Sequence, residues 1–338
     1  MSEMPLEEPV KKPANRKWNY VPDLPLDYAP YWHWPPKPVT FLKWVWQNWL
    51  QTSDRSLYVI FAFVVAFWMQ PVTEAQALLR PDWMAAVVVR NAVVLSIVAG
   101  GLHFWFYGID GQGNVLKYDP RPISKKRNTL FRLNYQVWDN MFYSLLSGVP
   151  IASAFEIFLR WNYAQDALPT VSFAGNPFWY VALFPLLALW QSFHFYVVHR
   201  LLHVPALYKR FHDVHHRNIN PGPWSGMSMH PVEHLFYFSS LLIFLIVPSD
   251  PVHMLFLLYW QMLGAASSHS GYEAVWVKDK SRLLLGAFFH QMHHRYFECN
   301  YGNGEMPWDK WFGSYHDGTE AGEAMMKERR KRLRETKG

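Results

Sequence analysis

The sequence predicts an all-α integral membrane protein, with about four transmembrane helices, a membrane-inserted helical hairpin and a helical cap on the cytosolic side. Three observations predict it. The 338 residues are 51% hydrophobic and 18% aromatic but only 17% charged, against about a quarter charged in ordinary soluble domains. Apolar stretches recur at about 57–72, 83–107, 137–161 and 178–198, close to the roughly 20 residues that cross a bilayer. The basic residues are distributed unevenly between the intervening loops. Eighteen tryptophans also suit a chain with two membrane interfaces to furnish.

Residues 1–50 read as a Pro/Trp-rich arm, cytosolic or interfacial. Met1 to Lys17 is polar and charged with no apolar centre, unlike a signal peptide. Pro22, Pro25, Pro30, Pro35, Pro36 and Pro38 prevent regular structure beyond it. Phe41 to Leu50, with Trp44, Trp46 and Trp49, predicts a short interfacial helix.

Residues 51–177 form the N-terminal transmembrane region. Its first stretch is short for a crossing, while the second and third carry Arg90 and Glu156. Charges are costly in lipid and face a partner or a cavity, so these two pair with each other, snorkel or line a tunnel. The 108–136 loop holds Lys117, Arg121, Lys125, Lys126, Arg127 and Arg132, whereas 73–82 and 162–177 hold only Arg80. The positive-inside rule therefore places 108–136 in the cytoplasm. Four crossings then put both termini there, in keeping with Lys11, Lys12, Arg16 and Lys17 and with the basic tail, 317–338.

Residues 178–316 carry the chemistry. Three clusters stand out: His199 and His203; His212, His215 and His216; and His290, His293 and His294. The i, i+3, i+4 spacing puts each set on one helix face, and imidazole is a common ligand for iron, zinc and copper. Eight such ligands are too many for one ion, so the clusters predict a histidine-rich dimetal site in the cap. A helix from Phe178 to His203 would carry the first cluster just beyond the lipid; helices over about 206–217 and 282–295 would carry the others. His230, His234 and His269 complete the candidate metal set, or else orient its members. His194 is expected to line a membrane tunnel, and Asp213, Glu233 and Glu273 to orient imidazoles or ligate. The apolar segment 235–266, broken at Pro248-Ser-Asp-Pro251, predicts a hairpin that returns the chain to the same face.

Other functions are bounded by what the sequence contains. Cys299 is the one cysteine, which excludes intrachain disulfides and four-thiolate zinc or iron–sulfur sites. The net charge of +6 is explained by topology, and no nucleic-acid partner is expected. There is no flavin, haem or Gly-x-Gly-x-x-Gly motif, so redox chemistry here needs an external electron donor.

These motifs resemble the fatty acid hydroxylase/sterol desaturase superfamily of integral-membrane histidine-box diiron oxygenases. The resemblance is carried by His199-Arg-Leu-Leu-His203, Lys209-Arg-Phe-His212-Asp-Val-His215-His216, His230-Pro-Val-Glu233, His269-Ser-Gly-Tyr272 and His290-Gln-Met-His293-His294. Asn300-Tyr-Gly302 and Trp308-Asp-Lys-Trp-Phe-Gly-Ser314 complete it. It implies two Fe ions, with zinc as a substitute, O2 as co-substrate, and a ferredoxin or cytochrome b5 type donor. The substrate implied is a sterol-like or fatty-acyl lipid, hydroxylated or desaturated, in the endoplasmic reticulum or a bacterial inner membrane. A metal-dependent membrane lipid hydrolase and a metal transporter are the alternatives the ligand set leaves open.

Overall fold

The structure, a computed structural model, describes residues 17–70 and 73–335. The expectations for residues 1–16 and for the last three residues of the tail lie outside it. The arm holds a short helix, α1 (Pro38–Val45), prolonged by a wider turn to Leu50. The expected interfacial helix is therefore present. Phe41, Trp44 and Val45 line a cavity against the protein, while Val39, Leu42 and Trp46 are exposed beside Thr40 and Lys43.

The next helix, α2 (Asp54–Trp68), has 15 residues and is about 22 Å long at 1.5 Å per residue. Ser53 fixes its start, since its side chain accepts the Ser56 amide in a capping box, so α2 cannot merge with the tryptophan-rich segment. Among the described residues, three helices are long and apolar enough to cross a membrane: α3 (Pro81–Gly108), α4 (Gln136–Ala164) and α5 (Pro177–Leu202). About four were expected, and α2, at 15 residues, is the one that falls below that length. Outward stripes such as Val89, Val93 and Ile97 on α3, and Phe178, Val181 and Val197 on α5, are exposed, as lipid-facing surfaces are.

A segment at 205–216, of short helical turns, is α6. The hairpin follows, α7 (Pro231–Leu245) and α8 (Pro251–Ser268). Asp250 caps α8 by accepting the Val252 amide at 2.9 Å. Fourteen of the 18 residues of α8 are buried, because α2, α3, α4 and α5 all pack around it. The second arm of the hairpin is thus the axis of the core, sheathed by protein.

Arg90 and Glu156 do pair across α3 and α4, and Arg160 joins them, its Nε 2.6 Å from Glu156. Asn91 donates to the same carboxylate at 2.9 Å. A charge inside a span is tolerated when it is paired in this way.

One expectation fails after the hairpin. Residues 282–284 are strand, not helix: β1 (Ala274–Val277) and β2 (Lys280–Leu284) form an antiparallel ribbon. Lys278 and Asp279 turn it with positive φ, 50° and 55°, the conformation of a tight two-residue hairpin. The third histidine helix, α9 (Phe288–Tyr296), begins only beyond Gly286. It is followed by α10 (Glu320–Glu335) in the basic tail. The arm wraps this region: Trp18 packs edge-on against Phe288 and under Arg295, and the Ala29 amide donates to Gly304.

Candidate metal centre

Nine histidines meet where α5 ends, in two groups. His199, His203, His212, His216 and His293 form one; His215, His269, His290 and His294 form the other, with the ligand atoms of each group within 4.8 Å of one another. Two of the three expected clusters are split between the groups, while His199 and His203 both serve the five-histidine group. In His-x-x-His-His the first and last residues of α6 serve the five-histidine group and the middle one the four-histidine group, while α9 divides as His293 against His290 and His294. Two adjacent residues on a helix point about 100° apart, so a pair such as His215–His216 can serve two neighbouring centres. His269 arrives from the end of α8.

The tautomers follow from hydrogen bonds to the far nitrogens. His199 Nδ1 donates to the Tyr301 carbonyl at 2.6 Å, His293 Nδ1 to Cys299 at 2.6 Å, and His269 Nδ1 to Ala265 at 2.8 Å. His212 Nδ1 lies 2.6 Å from Glu233 Oε1. In the neutral ring each Nε2 is then a bare lone pair. Those lone pairs point at other ring nitrogens: His269 Nε2 is 3.0 Å from His294 Nε2, 3.1 Å from His290 Nε2 and 3.2 Å from His215 Nε2, His212 Nε2 is 3.2 Å from His203 Nε2, and His293 Nε2 is 3.1 Å from His216 Nε2.

Protonation does not relieve this repulsion. Burial holds His215 down to about 4, and burial and neighbouring imidazoles together hold His212, His269, His290, His293 and His294 well below the usual imidazole range. A cation between the nitrogens does relieve it. Imidazole–metal bonds of about 2.0–2.1 Å at tetrahedral to right angles separate the nitrogens by about 2.8–3.4 Å, which brackets the observed spacing. The residues therefore fit two metal ions.

His230 and His234 join neither group. His230 precedes Pro231 and caps α7, its Nδ1 accepting the Val232 amide at 3.2 Å. His234 bonds to Ser147 and to the Met227 carbonyl. His194 faces Ser239 rather than the cavity. Of the three acids, only Glu233 contacts a clustered histidine; Asp213 pairs with Arg217 and Glu273 with the Tyr118 hydroxyl.

No residue pattern marked the backbone carbonyls that fix the rings. Asp309 positions one of them indirectly, accepting from the Tyr301 and Gly302 amides at 2.9 and 2.8 Å and from Ser314 at 2.6 Å. That explains the Trp308-to-Ser314 motif: it clamps the turn that orients His199. Gly226 is a second such position. A Cβ there would lie 2.0 Å from the Ala265 carbonyl oxygen, the acceptor of His269.

A cavity of about 240 Å³ opens on the histidines and is also lined by Phe195, Leu202, Met229 and Tyr237 and by the polar Asp54, Arg55, Gln191 and Glu305. Such mixed walls, apolar with a few polar groups, are those of a small-molecule site.

Comparison with known proteins agrees with this geometry. The sequence profile of the family described as fatty acid hydroxylase matches residues 184–314, the stretch that supplies all nine clustered histidines. This part of the chain is thus similar to the fatty acid hydroxylase/sterol desaturase superfamily. Among curated proteins, a Delta(7)-sterol 5(6)-desaturase of Aspergillus fumigatus is 33% identical over 147 residues, 41% of this chain and 39% of its own length. One of Leptosphaeria maculans is 27% identical over 250 residues, 70% of this chain and 64% of its own. A probable one of Neurospora crassa is 28% identical over 194 residues, 48% and 53%. The chain thus spans less than two thirds of these relatives. No solved structure matches.

Proposed function

We propose that the chain is a membrane-bound oxidoreductase, a non-haem diiron oxygenase that hydroxylates or desaturates a lipid, sterol-like or fatty-acyl. The observation that carries this reading is the set of opposed, buried Nε2 lone pairs at the end of a membrane-spanning helix, together with the match to fatty acid hydroxylases. His199, His203, His212, His216 and His293 would hold one ion and His215, His269, His290 and His294 the other. Two irons bound there would supply O2 activation, using electrons and protons delivered from outside to oxidise a C–H bond.

The remaining roles belong to the chain's own residues. Glu233 and the Tyr301, Cys299 and Ala265 carbonyls hold His212, His199, His293 and His269 in the ligating tautomer. Phe195, Leu202, Met229 and Tyr237 exclude water beside the histidines and seat an apolar substrate. The polar residues of the cavity give the substrate an orientation. A reduced ferredoxin or cytochrome b5 type carrier would supply the electrons from the cytoplasmic side, where the basic 108–136 loop and tail would lie.

A transporter is disfavoured because the ligands sit past the end of α5 rather than near the middle of a span. The test compares lipids of cells expressing the wild type with cells expressing the His215→Ala, His293→Ala double variant. A lipid that gains one oxygen atom, or loses two hydrogen atoms, only with the wild type is the expected result. Unchanged lipids, with both metals bound and a reductant supplied, would reject the oxygenase and favour hydrolysis or transport.

A further inference from the structure

A second cavity, of about 370 Å³, lies between the arm and α5, walled by Tyr31, Phe41, Trp44, Val45, Trp49, Pro185, Ala188 and Leu189. It meets the histidine cavity at one residue, Glu305, which lines both. Glu305 is buried and paired with Arg55, whose guanidinium lies 5.2 Å from the Trp44 ring and 5.6 Å from Trp260. The Tyr31 hydroxyl donates to Glu305 Oε2 at 3.0 Å and to its carbonyl at 2.8 Å, and the Trp32 indole donates to the same carbonyl at 2.8 Å. The arm therefore does two things at once. It walls an apolar chamber beside a membrane-spanning helix, and it holds Glu305, the residue common to both cavities, which is paired with Arg55.

Resting on the lipid-oxidising function proposed above, we infer that this outer chamber is the substrate's entry site and that the Arg55–Glu305 pair is its inner gate. The occupant is a neutral lipid bearing a hydroxyl. A hydroxyl can donate to Glu305 and accept from Arg55, and so replaces the bonds that the open pair gives up. A carboxylate or phosphate gains Arg55 but meets the Glu305 charge. Just inside the gate, Gln191 is 3% exposed and its Oε1 has no partner. It accepts the same hydroxyl once the lipid is through, which sets the distance from that hydroxyl to the oxidised carbon. Buried polar groups without partners are rare, and this one faces the cavity. The exposed face of α1 (Val39, Leu42, Trp46) keeps the chamber's mouth at the lipid surface.

The test uses the full-length, metal-loaded protein in detergent micelles with a diazirine-bearing sterol alcohol, and separately with a diazirine-bearing fatty acid. Crosslinks are mapped by peptide mass spectrometry. The alcohol should label both 41–49 and 191–202, and the fatty acid should label 191–202 much less. Ala188→Trp fills the chamber from α5 and Val45→Trp fills it from the arm. Each should cut alcohol labelling of 191–202 about tenfold, a loss of about 1.4 kcal/mol in occupancy, while metal content stays unchanged. Glu305→Gln, which keeps a hydrogen-bonding side chain but removes the charge, should raise inner labelling relative to outer.

Full inner labelling in a metal-replete filled variant would overturn the entry route. If neither filled variant retains its metals, absence of wild-type label in 41–49 overturns the inference and its presence supports it. Equal inner labelling by both probes would overturn the hydroxyl preference. The oxygenase fails separately: labelling can follow this pattern while no lipid is oxidised, and oxidation at the wild-type rate in a filled variant would leave the oxygenase standing without the gate.

Discussion

Removing the Glu233 carboxylate should weaken one metal and spare the other. Glu233 Oε1 lies 2.6 Å from His212 Nδ1, both side chains are at most 3% exposed, and His212 belongs to the five-histidine group alone. A hydrogen bond to a charged group is worth about 1.5–3 kcal/mol. At about 1.4 kcal/mol per decade, Glu233→Ala should loosen that ion by about 10–150-fold, close to the roughly 10–100-fold typical when a ligand's orienting partner is lost. Glu233→Gln keeps an acceptor and should fall between the variant and the wild type. The assay is metal retention against a graded chelator series, read by elemental analysis. The expected result is biphasic release in Glu233→Ala, one ion leaving at a chelator concentration that the wild type withstands. Simultaneous loss of both ions, or an unchanged curve, would refute the two-group assignment.

Three further outcomes follow from particular contacts. The metal-free protein should lose stability as pH falls from about 6.5 towards 5. The buried histidines stay neutral when folded but charge when unfolded, so the unfolded state binds more protons, and each such group contributes about 1.4 kcal/mol per pH unit in that window. A melting temperature of the apoprotein that is flat from pH 7 to pH 5 would contradict this. Gly226→Ala should destabilise by about 1–3 kcal/mol through overpacking against the Ala265 carbonyl and should lower occupancy of the four-histidine group. Normal melting and metal content would show that the turn at 223–227 has room to move. Glu156→Gln strands Arg90 and Arg160 inside the helical core and should cost about 3–5 kcal/mol in detergent unfolding, whereas an unchanged midpoint would mean that water or lipid reaches the pair.

Histidine spacing made the site legible because helix geometry turns i, i+3 and i+4 into one face. Eight of the nine clustered residues were marked by that rule, and His269 by its place at the hairpin's end. The same kind of reading over-reached at His230-Pro-Val-Glu-His234, where Pro231 starts a helix and turns His230 into its cap. The partners that hold the rings are mostly backbone carbonyls, which have no side-chain identity to read. The split of the α6 and α9 clusters between two groups depends on how those helices pack against α5, which is a property of tertiary structure. In the fold, apolar length marked α3, α4 and α5. It could not show that Ser53 caps α2 and so stops it short of a crossing, or that Lys278-Asp279 makes a hairpin turn without glycine. The arm was legible only as composition, because its contacts with Phe288, Gly304 and Glu305 lie more than 250 residues away along the chain.

We propose that nine histidines hold two metals that oxidise a lipid with O2. Purified, iron-loaded protein with a chemical reductant and membrane lipids in a sealed oxygen electrode, followed by mass spectrometry of the lipids, tests this. Oxygen uptake matched to a hydroxylated or desaturated lipid is expected in the wild type, and neither in the His215→Ala, His293→Ala variant. Lipid turnover that proceeds without oxygen, or that zinc supports as well as iron, would contradict it.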